Sequence, residues 1–236
     1  MPTLIVKQRS SLDTLIAARP EFAPLRHVSV DHSPDRMWRC NGSVSYDLQV
    51  TLLGKTGYGK SSLANALTGG EFLETSATDV CTKEGQCLDF EIRPAERFSI
   101  ADVPGTGEGT HADEKRGRFY RDLIGRSDLL LYVLRADQRD WSIDEEFFTN
   151  ILDNKQKRVL IVLNQCDKVE PLHRKNSISA EQMNTIDRKI EQVRRAFSDI
   201  LGVVPVSVAV DWNIDVLAKH IVRNLVYLPG VHYRKP

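Results

Sequence analysis

The sequence predicts an α/β fold, with a six-stranded, mostly parallel sheet that has one antiparallel strand and helices on both faces. Three observations carry this. Residues 129–134 and 159–163 are continuous apolar runs, as expected of parallel strands covered on both sides. Segments with apolar residues at helical spacing alternate with such runs along the chain, the order that winds a sheet in both directions. A glycine-rich octapeptide, Gly54-Lys55-Thr56-Gly57-Tyr58-Gly59-Lys60-Ser61, lies between the apolar run 48–53 and a helix-like segment opening at Ser61. That is the strand, loop and helix context of a phosphate-binding loop, which a glycine turn without a ligand does not need.

In chain order, residues 1–45 read as an N-terminal extension ahead of a main domain spanning 46–230. Leu12, Leu15 and Ile16 suit a short amphipathic helix packed on that domain, and Pro20, Pro24 and Pro34 forbid a long one. After the octapeptide, Leu63, Ala64, Ala66 and Leu67 give the first helix an apolar side that ends at Gly69-Gly70. Leu88, Phe90 and Ile92 alternate with Asp89 and Glu91, and Phe98, Ile100 and Ala101 form a partner run across a turn at Pro94, hence a hairpin. A helix is expected over about 113–124. Another starts at the capping-box match Ser142-x-x-Glu145 and buries Phe147, Phe148, Ile151 and Leu152. A third starts at Ser179-x-x-Gln182 and presents Ile186, Ile190, Val193, Phe197 and Ile200 ahead of Gly202. The final strand, 203–208, precedes a last helix carrying Val216, Leu217, Ile221 and Leu225.

At 236 residues the chain is long for one domain and short for two, and 41% hydrophobic residues are ample for a core. Thirty-two basic and thirty-two acidic residues cancel, which leaves no footprint for wholesale binding to nucleic acid or an anionic membrane. No apolar run reaches the roughly 18 residues of a membrane span, and the first residues lack the marks of a signal peptide, so a cytoplasmic protein is expected. Cys40, Cys81, Cys87 and Cys166 form no C-x-x-C pair and read as reduced, packed thiols.

A polyphosphate is wrapped by main-chain N–H groups, and glycine lets the backbone come that close. Gly54, Thr56, Gly57, Tyr58 and Gly59 would form the cradle, with Ser62 following in the helix. Lys60 would bring its charge to the β- and γ-phosphates and Ser61 its hydroxyl to Mg²⁺, while the helix N-terminus adds partial positive charge. Asp102-x-x-Gly105, Asn164-Gln165-Cys166-Asp167 and Ser207-Val208-Ala209 each follow an expected strand. They therefore fall at the carboxyl ends, where a doubly wound sheet has its ligand crevice. Any one of these tetrapeptides arises by chance; together, in this order, they mark a site.

With these residues, the sequence over 49–228 resembles the GTPases, and within them the Era-like bacterial branch. The octapeptide, the threonine-bearing loop ending Cys81-Thr82-Lys83-Glu84, Asp102-Val103-Pro104-Gly105 and Asn164-Gln165-Cys166-Asp167-Lys168 carry the resemblance. More narrowly, Arg135-Ala136-Asp137-x-Arg139, the extension of the N-Q-x-D motif to Glu170-Pro171, and Val206-Ser207 followed by Trp212-Asn213 resemble the YfjP/YeeP group of enterobacterial GTPase-like proteins. The resemblance makes 46–230 a GTP-binding (G) domain and implies GTP or GDP with Mg²⁺ as ligands. It makes Ser61, Thr82 and Asp102 the metal set, Thr82 being the switch I threonine and Asp102 acting through water. Lys60, Thr82, Gly105 and Thr106 become the hydrolytic set, with the Gly105 N–H sensing the γ-phosphate. Asn164, Gln165, Asp167, Ser207 and Val208 become the guanine site, the last through a main-chain N–H near O6. A carboxylate at Asp167 accepts from N1–H and the exocyclic amine of guanine, where adenine offers a lone pair, so GTP is expected over ATP.

Three departures from the family pattern bear on activity. Gln165 replaces the usual lysine of N-K-x-D. Thr106 follows D-x-x-G, where Ras-like proteins keep a water-orienting glutamine and Era-like ones a hydrophobe. Gly57 stands where potassium-activated relatives carry asparagine, and G-K-T-G-x-G-K-S-S is closer to septin-like and immunity-related GTPases that pair through their GTP faces. Glu108 and His111 are candidate replacements for the water-orienting group, although the loop setting favours plain solvent exposure. Arg116, Arg118 and Arg121 read as a solvated helix face. Two readings stay open. One is a GTPase whose slow Mg²⁺-dependent hydrolysis, stimulated by a partner or self-association, resets a molecular switch. The other is a nucleotide-dependent binding or scaffold module that hardly hydrolyses. Lys60, Ser61, Thr82 and Asp102 favour the first, and Thr106 the second; a phosphate-loop ATPase is opposed by Asp167. The expected partners are a guanine nucleotide, a protein or ribosomal partner, and a second copy of the chain through the GTP face. Loops 71–84 and 105–115, polar and poor in apolar anchors, are expected to be ordered by the γ-phosphate.

Overall fold

Eleven residues of extended chain, β4 (Ser43–Leu53), run through the middle of the sheet and deliver the glycine-rich loop to its carboxyl edge. The computed structural model describes residues 4–40, 43–75, 85–105, 114–152, 158–172 and 177–234. After β4 come α2 (Lys60–Thr68), the hairpin β5 (Gln86–Arg93) and β6 (Glu96–Asp102), α3 (Glu114–Arg126) and β7 (Leu129–Arg135). They are followed by α4 (Ser142–Leu152), β8 (Val159–Asn164), α5 (Ala180–Ala196), β9 (Gly202–Pro205) and α6 (Ile214–Leu225). The order β5-β6-β4-β7-β8-β9 is parallel throughout except for β5 against β6, which is the expected six strands with one antiparallel. From β4 the chain returns by α2 and the hairpin to one side; from β6 it crosses over β4 to β7 by way of α3. Right-handed crossovers place these connections on opposite faces, so the direction reverses beside the carboxyl end of β4 and opens a crevice there.

Two further strands make the sheet eight-stranded, and both precede β4. β1 (Ile5–Ser11) lies parallel to β5 at the sheet edge, and β3 (Met37–Cys40) pairs antiparallel with the first residues of β4. Neither carries an apolar period, because main-chain pairing at an edge needs none; the side chains of β1 alternate between exposed and half-buried. Between them, α1 (Leu12–Ala18), a 3-10 helix over Pro20–His27 and β2 (Val28–Val30) turn back across the sheet. β2 pairs with β10 (Val231–Tyr233). This segment has no core of its own: Leu12, Leu15, Phe22, Leu25 and Val28 are buried in the common core, and Phe22 packs 5.4 Å from Phe98. Arg19 clamps the end of α1 to the Ala66 carbonyl (2.9 Å) and to Asp211 (2.8 Å).

The helix ends follow local chemistry. At α5 the capping box is complete, Ser179 accepting from Gln182 N–H and the Gln182 side chain accepting from Ser179 N–H. The box expected at Ser142 is not the one used. The Asp140 carboxylate instead takes the Ser142 N–H (2.9 Å) and its hydroxyl (3.1 Å), a shorter reach for the same orphan donor. Helix α5 stops at Ala196, so Phe197 is buried as its cap and Ile200 lies beyond it. The last strand ends at Pro205, and Ser207 turns back to pair with Trp212. Among the described residues no helix is long and apolar enough to cross a membrane.

The two faces of β4 differ. Leu48, Val50 and Leu52 face the apolar core, while Asp47, Gln49 and Thr51 are buried on the other face in a polar row. Thr51 bonds Ser127 (2.7 Å) and Gln49 bonds Thr51 (3.0 Å), while Ser99 lies between Asp47 (3.3 Å) and Asp89 (3.0 Å). Arg97 and Arg9 each stand 3.6 Å from Asp89. Burial pushes the Asp47 carboxyl up from 3.8 to about 6, Asp89 adding to the effect while Ser45, Arg97 and Ser99 oppose it. A carboxyl with a raised folded-state pKa contributes stability that is present below its unfolded value and is lost as pH climbs through the folded one. Asp47→Asn should therefore match wild type near pH 4 and exceed it by about 2–3 kcal/mol at pH 7, from two units at about 1.4 kcal/mol each. Urea unfolding across that window measures it, and a variant less stable than wild type at pH 7 would contradict it.

Candidate functional site

The glycine-rich loop is packed closely by its neighbours, with no room for a side chain at Gly54 or Gly59 within it or at Gly105 against it. Gly59 adopts φ 85°, and a Cβ there would lie 2.7 Å from Asn164 Nδ2. At Gly105 a Cβ would lie 2.3 Å from the Thr56 nitrogen, so the Asp102-x-x-Gly105 segment packs directly on the loop. Lys60, at the start of α2, is buried, and its ammonium donates across the loop to the carbonyls of Gly54 (2.9 Å) and Lys55 (3.1 Å). Beside it the Ser61 hydroxyl donates to Asp102 Oδ2 at 2.5 Å, joining the first turn of α2 to the end of β6. The Tyr120 hydroxyl donates to the Pro104 carbonyl (2.7 Å), so α3 props the same segment.

Asn164, at the end of β8, lies opposite. It is 1% exposed, and its Nδ2 donates to the Tyr58 carbonyl at 2.9 Å. Gln165 takes a left-handed backbone (φ 60°) and donates from Nε2 to the Gly57 carbonyl (3.1 Å), while its Oε1 accepts from Lys168 (2.9 Å). The glutamine that replaces the usual lysine therefore ties the motif to the phosphate loop. Asp167 Oδ1 accepts from the fully buried Ser207 hydroxyl. Cys166, between the two, is a buried free thiol whose N–H donates to the Val206 carbonyl (3.2 Å). Burial pushes that thiol up to about 12, so it is packing and not a nucleophile.

Gly54, Thr56, Gly57, Tyr58, Gly59, Lys60, Ser61, Ser62, Asp102, Gly105, Asn164, Gln165, Asp167, Ser207 and Val208 thus lie in the loops and first turns at the carboxyl ends of β4, β6, β8 and β9. Thr82, Thr106, Glu108 and His111 lie outside the described residues. Tyr58 presents main chain to the crevice, whereas its ring is buried beneath α4. One expectation changes: loop 71–84 begins with an apolar anchor, because Leu73 is buried and its N–H and carbonyl both pair with the Asn65 side chain (3.0 and 2.8 Å).

The sequence reading missed a buried brace under the loop. Asp144 is fully buried and takes an ion pair from Lys55, the second residue of the octapeptide, at 2.9 Å. The Tyr58 and Tyr132 hydroxyls both donate to it at 3.1 Å, and Tyr58 also lies 2.7 Å from Gln138 Oε1. Burial first and the Asp144 charge second hold the Tyr58 phenol far above its ordinary range, so it stays a donor. The signal was present: Asp144 shares one helical stripe with Phe147, Phe148 and Ile151, and a carboxylate on a buried stripe requires partners. Gln182 was read only as a cap; its side chain also reaches the Asp167 loop.

The donor set fits a nucleoside triphosphate with a divalent cation. Asn164 Oδ1 and Thr56 Oγ1 are buried and have no hydrogen-bond partner among the described residues, the one side chain beside Gly59 and the other beside Gly105. Ser61 and Asp102 bring two hard oxygen atoms together, the ligand type Mg²⁺ prefers, beside a buried ammonium and a helix N-terminus suited to phosphate.

The Asp144 brace is expected to dominate local stability. Asp144→Ala takes the counter-ion from the half-buried Lys55 ammonium and the acceptor from the Tyr132 hydroxyl, and should cost about 3–5 kcal/mol in urea unfolding. Adding Lys55→Met should recover part of the loss. A loss below about 1 kcal/mol would mean that the brace is incidental.

The family described as 50S ribosome-binding GTPase matches residues 49–165. The uncharacterized Escherichia coli protein YfjP is 35% identical over 187 residues, covering 78% of this chain and 64% of that protein. GTPase Era of Aquifex aeolicus is 26% identical over 188 residues, covering 76% of this chain and 56% of that protein. The chain thus spans less than two thirds of the length of these relatives. Among solved structures, Era in complex with MgGDPNP and nucleotides 1506–1542 of 16S ribosomal RNA superposes with a TM-score of 0.63 at 22% identity, over 81% of this chain and 59% of that one. Aquifex aeolicus Era bound to GDP and AlF4⁻ gives the same TM-score at 23% identity, over 78% of this chain and 60% of that one. The chain carries an Era-like phosphate-loop GTPase domain and is related to the YfjP-type proteins.

Proposed function

We propose that the domain is a GTP-binding molecular switch that hydrolyses GTP slowly with Mg²⁺ and is accelerated by a partner or by self-association. The observation that carries this reading is the Asp167 carboxylate, held by Ser207 beside a buried Asn164 that joins the base side of the crevice to the phosphate loop. Asp167 would accept from N1–H and the exocyclic amine of guanine, and the free Asn164 carbonyl oxygen would take a donor of the base or of the loop around it. Main-chain N–H groups of 54–59 would wrap the phosphates, and Lys60 would neutralise charge that develops as water attacks the γ-phosphorus and the bond to the β-phosphate oxygen breaks, giving GDP and phosphate. Ser61 and Asp102, with Thr82, would hold Mg²⁺, whose charge lowers the cost of gathering the phosphate oxygens. The Gly105 N–H would meet the γ-phosphate.

Thr106 carries the second reading, a nucleotide-dependent binding module with little hydrolysis, because a threonine there lacks the reach of a water-orienting glutamine. A ribosomal partner fits the matched family's description and the RNA segment bound to Era. A second copy meeting the GTP face is the other candidate, since it could supply the group that Thr106 does not. Both belong to a cytoplasmic setting.

Asp167→Asn should lose at least about tenfold in GDP affinity, the value of one charge-assisted hydrogen bond, and gain affinity for xanthosine diphosphate. Lys60→Ala should lose the rise in melting temperature that GTP gives wild type. Unchanged GDP affinity in the first variant, or an unchanged thermal shift in the second, would reject the site. Single-turnover phosphate release separates the two readings: release at about 10⁻⁴–10⁻² s⁻¹ supports the switch, and none over hours supports the binding module.

A further inference from the structure

We propose that Gln182 is a positioning residue for base recognition, setting the Asp167 carboxylate from the first turn of α5. The inference rests on the guanine-binding reading above and deepens it. Gln182 is fully buried, and its side chain is divided between two tasks. Its Oε1 accepts from the Ser179 N–H at 3.0 Å, completing the capping box. Its Nε2 donates to the main-chain carbonyls of Asp167 and Val169, each at 3.0 Å, 15 and 13 residues earlier in the chain.

A capping box requires only the first of these bonds, and glutamate serves it as well as glutamine. The second task requires an amide, because two carbonyl oxygens converge on the Nε2 position and a carboxylate there would face them without a proton to give. The loop 167–169 is also closed locally, by Lys168 N–H to the Gln165 carbonyl (3.0 Å) and by the buried Val169 side chain, but these contacts do not set Asp167 against α5. Among the described residues its recognition side chain is held through Ser207 on the β9 side, while Cys166 N–H to Val206 holds the residue before it. Gln182 supplies the grip from the opposite side, so the Asp167 backbone is fixed from α5 and its carboxylate from Ser207. The geometry of two hydrogen bonds to a base edge is sensitive to shifts of a few tenths of an ångström, and loss of either grip misplaces the acceptor.

The test compares GDP with inosine diphosphate, which lacks the exocyclic amine, so the ratio of the two affinities reads the placement of the Asp167 carboxylate and not the phosphate contacts. Affinities are measured by calorimetry with Mg²⁺ for the full chain and three variants. Gln182→Glu keeps the cap acceptor and removes both donors; Gln182→Met removes every bond at similar volume and stands in if the buried glutamate does not fold. Ser179→Ala weakens the cap but leaves the Nε2 donors in place. Wild type should prefer GDP by tenfold or more. The Gln182 variants should reduce that preference at least fivefold, affinity for GDP falling further than affinity for inosine diphosphate, which has one contact to Asp167 to lose where GDP has two, and Ser179→Ala should lower the melting temperature without changing the ratio. An unchanged ratio in the Gln182 variants would make the residue a structural cap and overturn the proposal. A wild type without preference for GDP would instead remove the guanine-binding reading, and the proposal with it.

Discussion

The hydrogen bond from the Asn164 side chain to the Tyr58 carbonyl joins two loops 106 residues apart and is the contact on which the crevice depends. It forms only because Gly59 lacks a side chain, since the Asn164 amide occupies the space a Cβ would need. Through it the strand end whose residues would read the base is set against the loop that would carry the phosphates. A ligand that spans both must match the distance this contact fixes. A buried amide bond of this kind contributes only about 1 kcal/mol to stability, but leaving its partner unsatisfied costs more, so the two loops are bound to one arrangement.

The same loop is fixed from below by a charge. Asp144 gathers an ammonium and two hydroxyls from two separate elements, the glycine-rich loop and β7, which gives a fully buried carboxylate the partners it requires. Lys55 is thereby directed into the core and Lys60 across the loop, so that two lysines five residues apart serve different tasks. The polar row on β4 shows the same economy with less success: burial first and the Asp89 charge second outweigh Ser99 and the neighbouring arginine, and the Asp47 carboxyl is pushed up to about 6.

The parallel strands and the carboxyl-end placement of the motifs were legible in the sequence because continuous apolar runs and glycine-bearing turns are local signals. β1 and β3 were not, since an edge strand made by main-chain pairing leaves no apolar period. The cap at Ser142 was misassigned because Asp140, two residues earlier, reaches the same N–H; the box at Ser179 was legible and is present. Asp144 and Gln182 were visible as residue types, but their second partners come from distant segments. A charged or amide group on a buried stripe says that it has partners without saying which. Tyr58 was counted with the loop it belongs to, and only packing shows that its ring lies beneath α4.

Equilibrium titration of the unmodified chain with GDP and with ADP, both with Mg²⁺, tests most directly whether this crevice selects guanine nucleotide. GDP should bind, and ADP should bind weaker by about 10³-fold or more, because Asp167 would face a lone pair where it needs a donor. Equal affinities would show that the phosphate loop acts alone and that the Asn164–Asp167 segment reads no base.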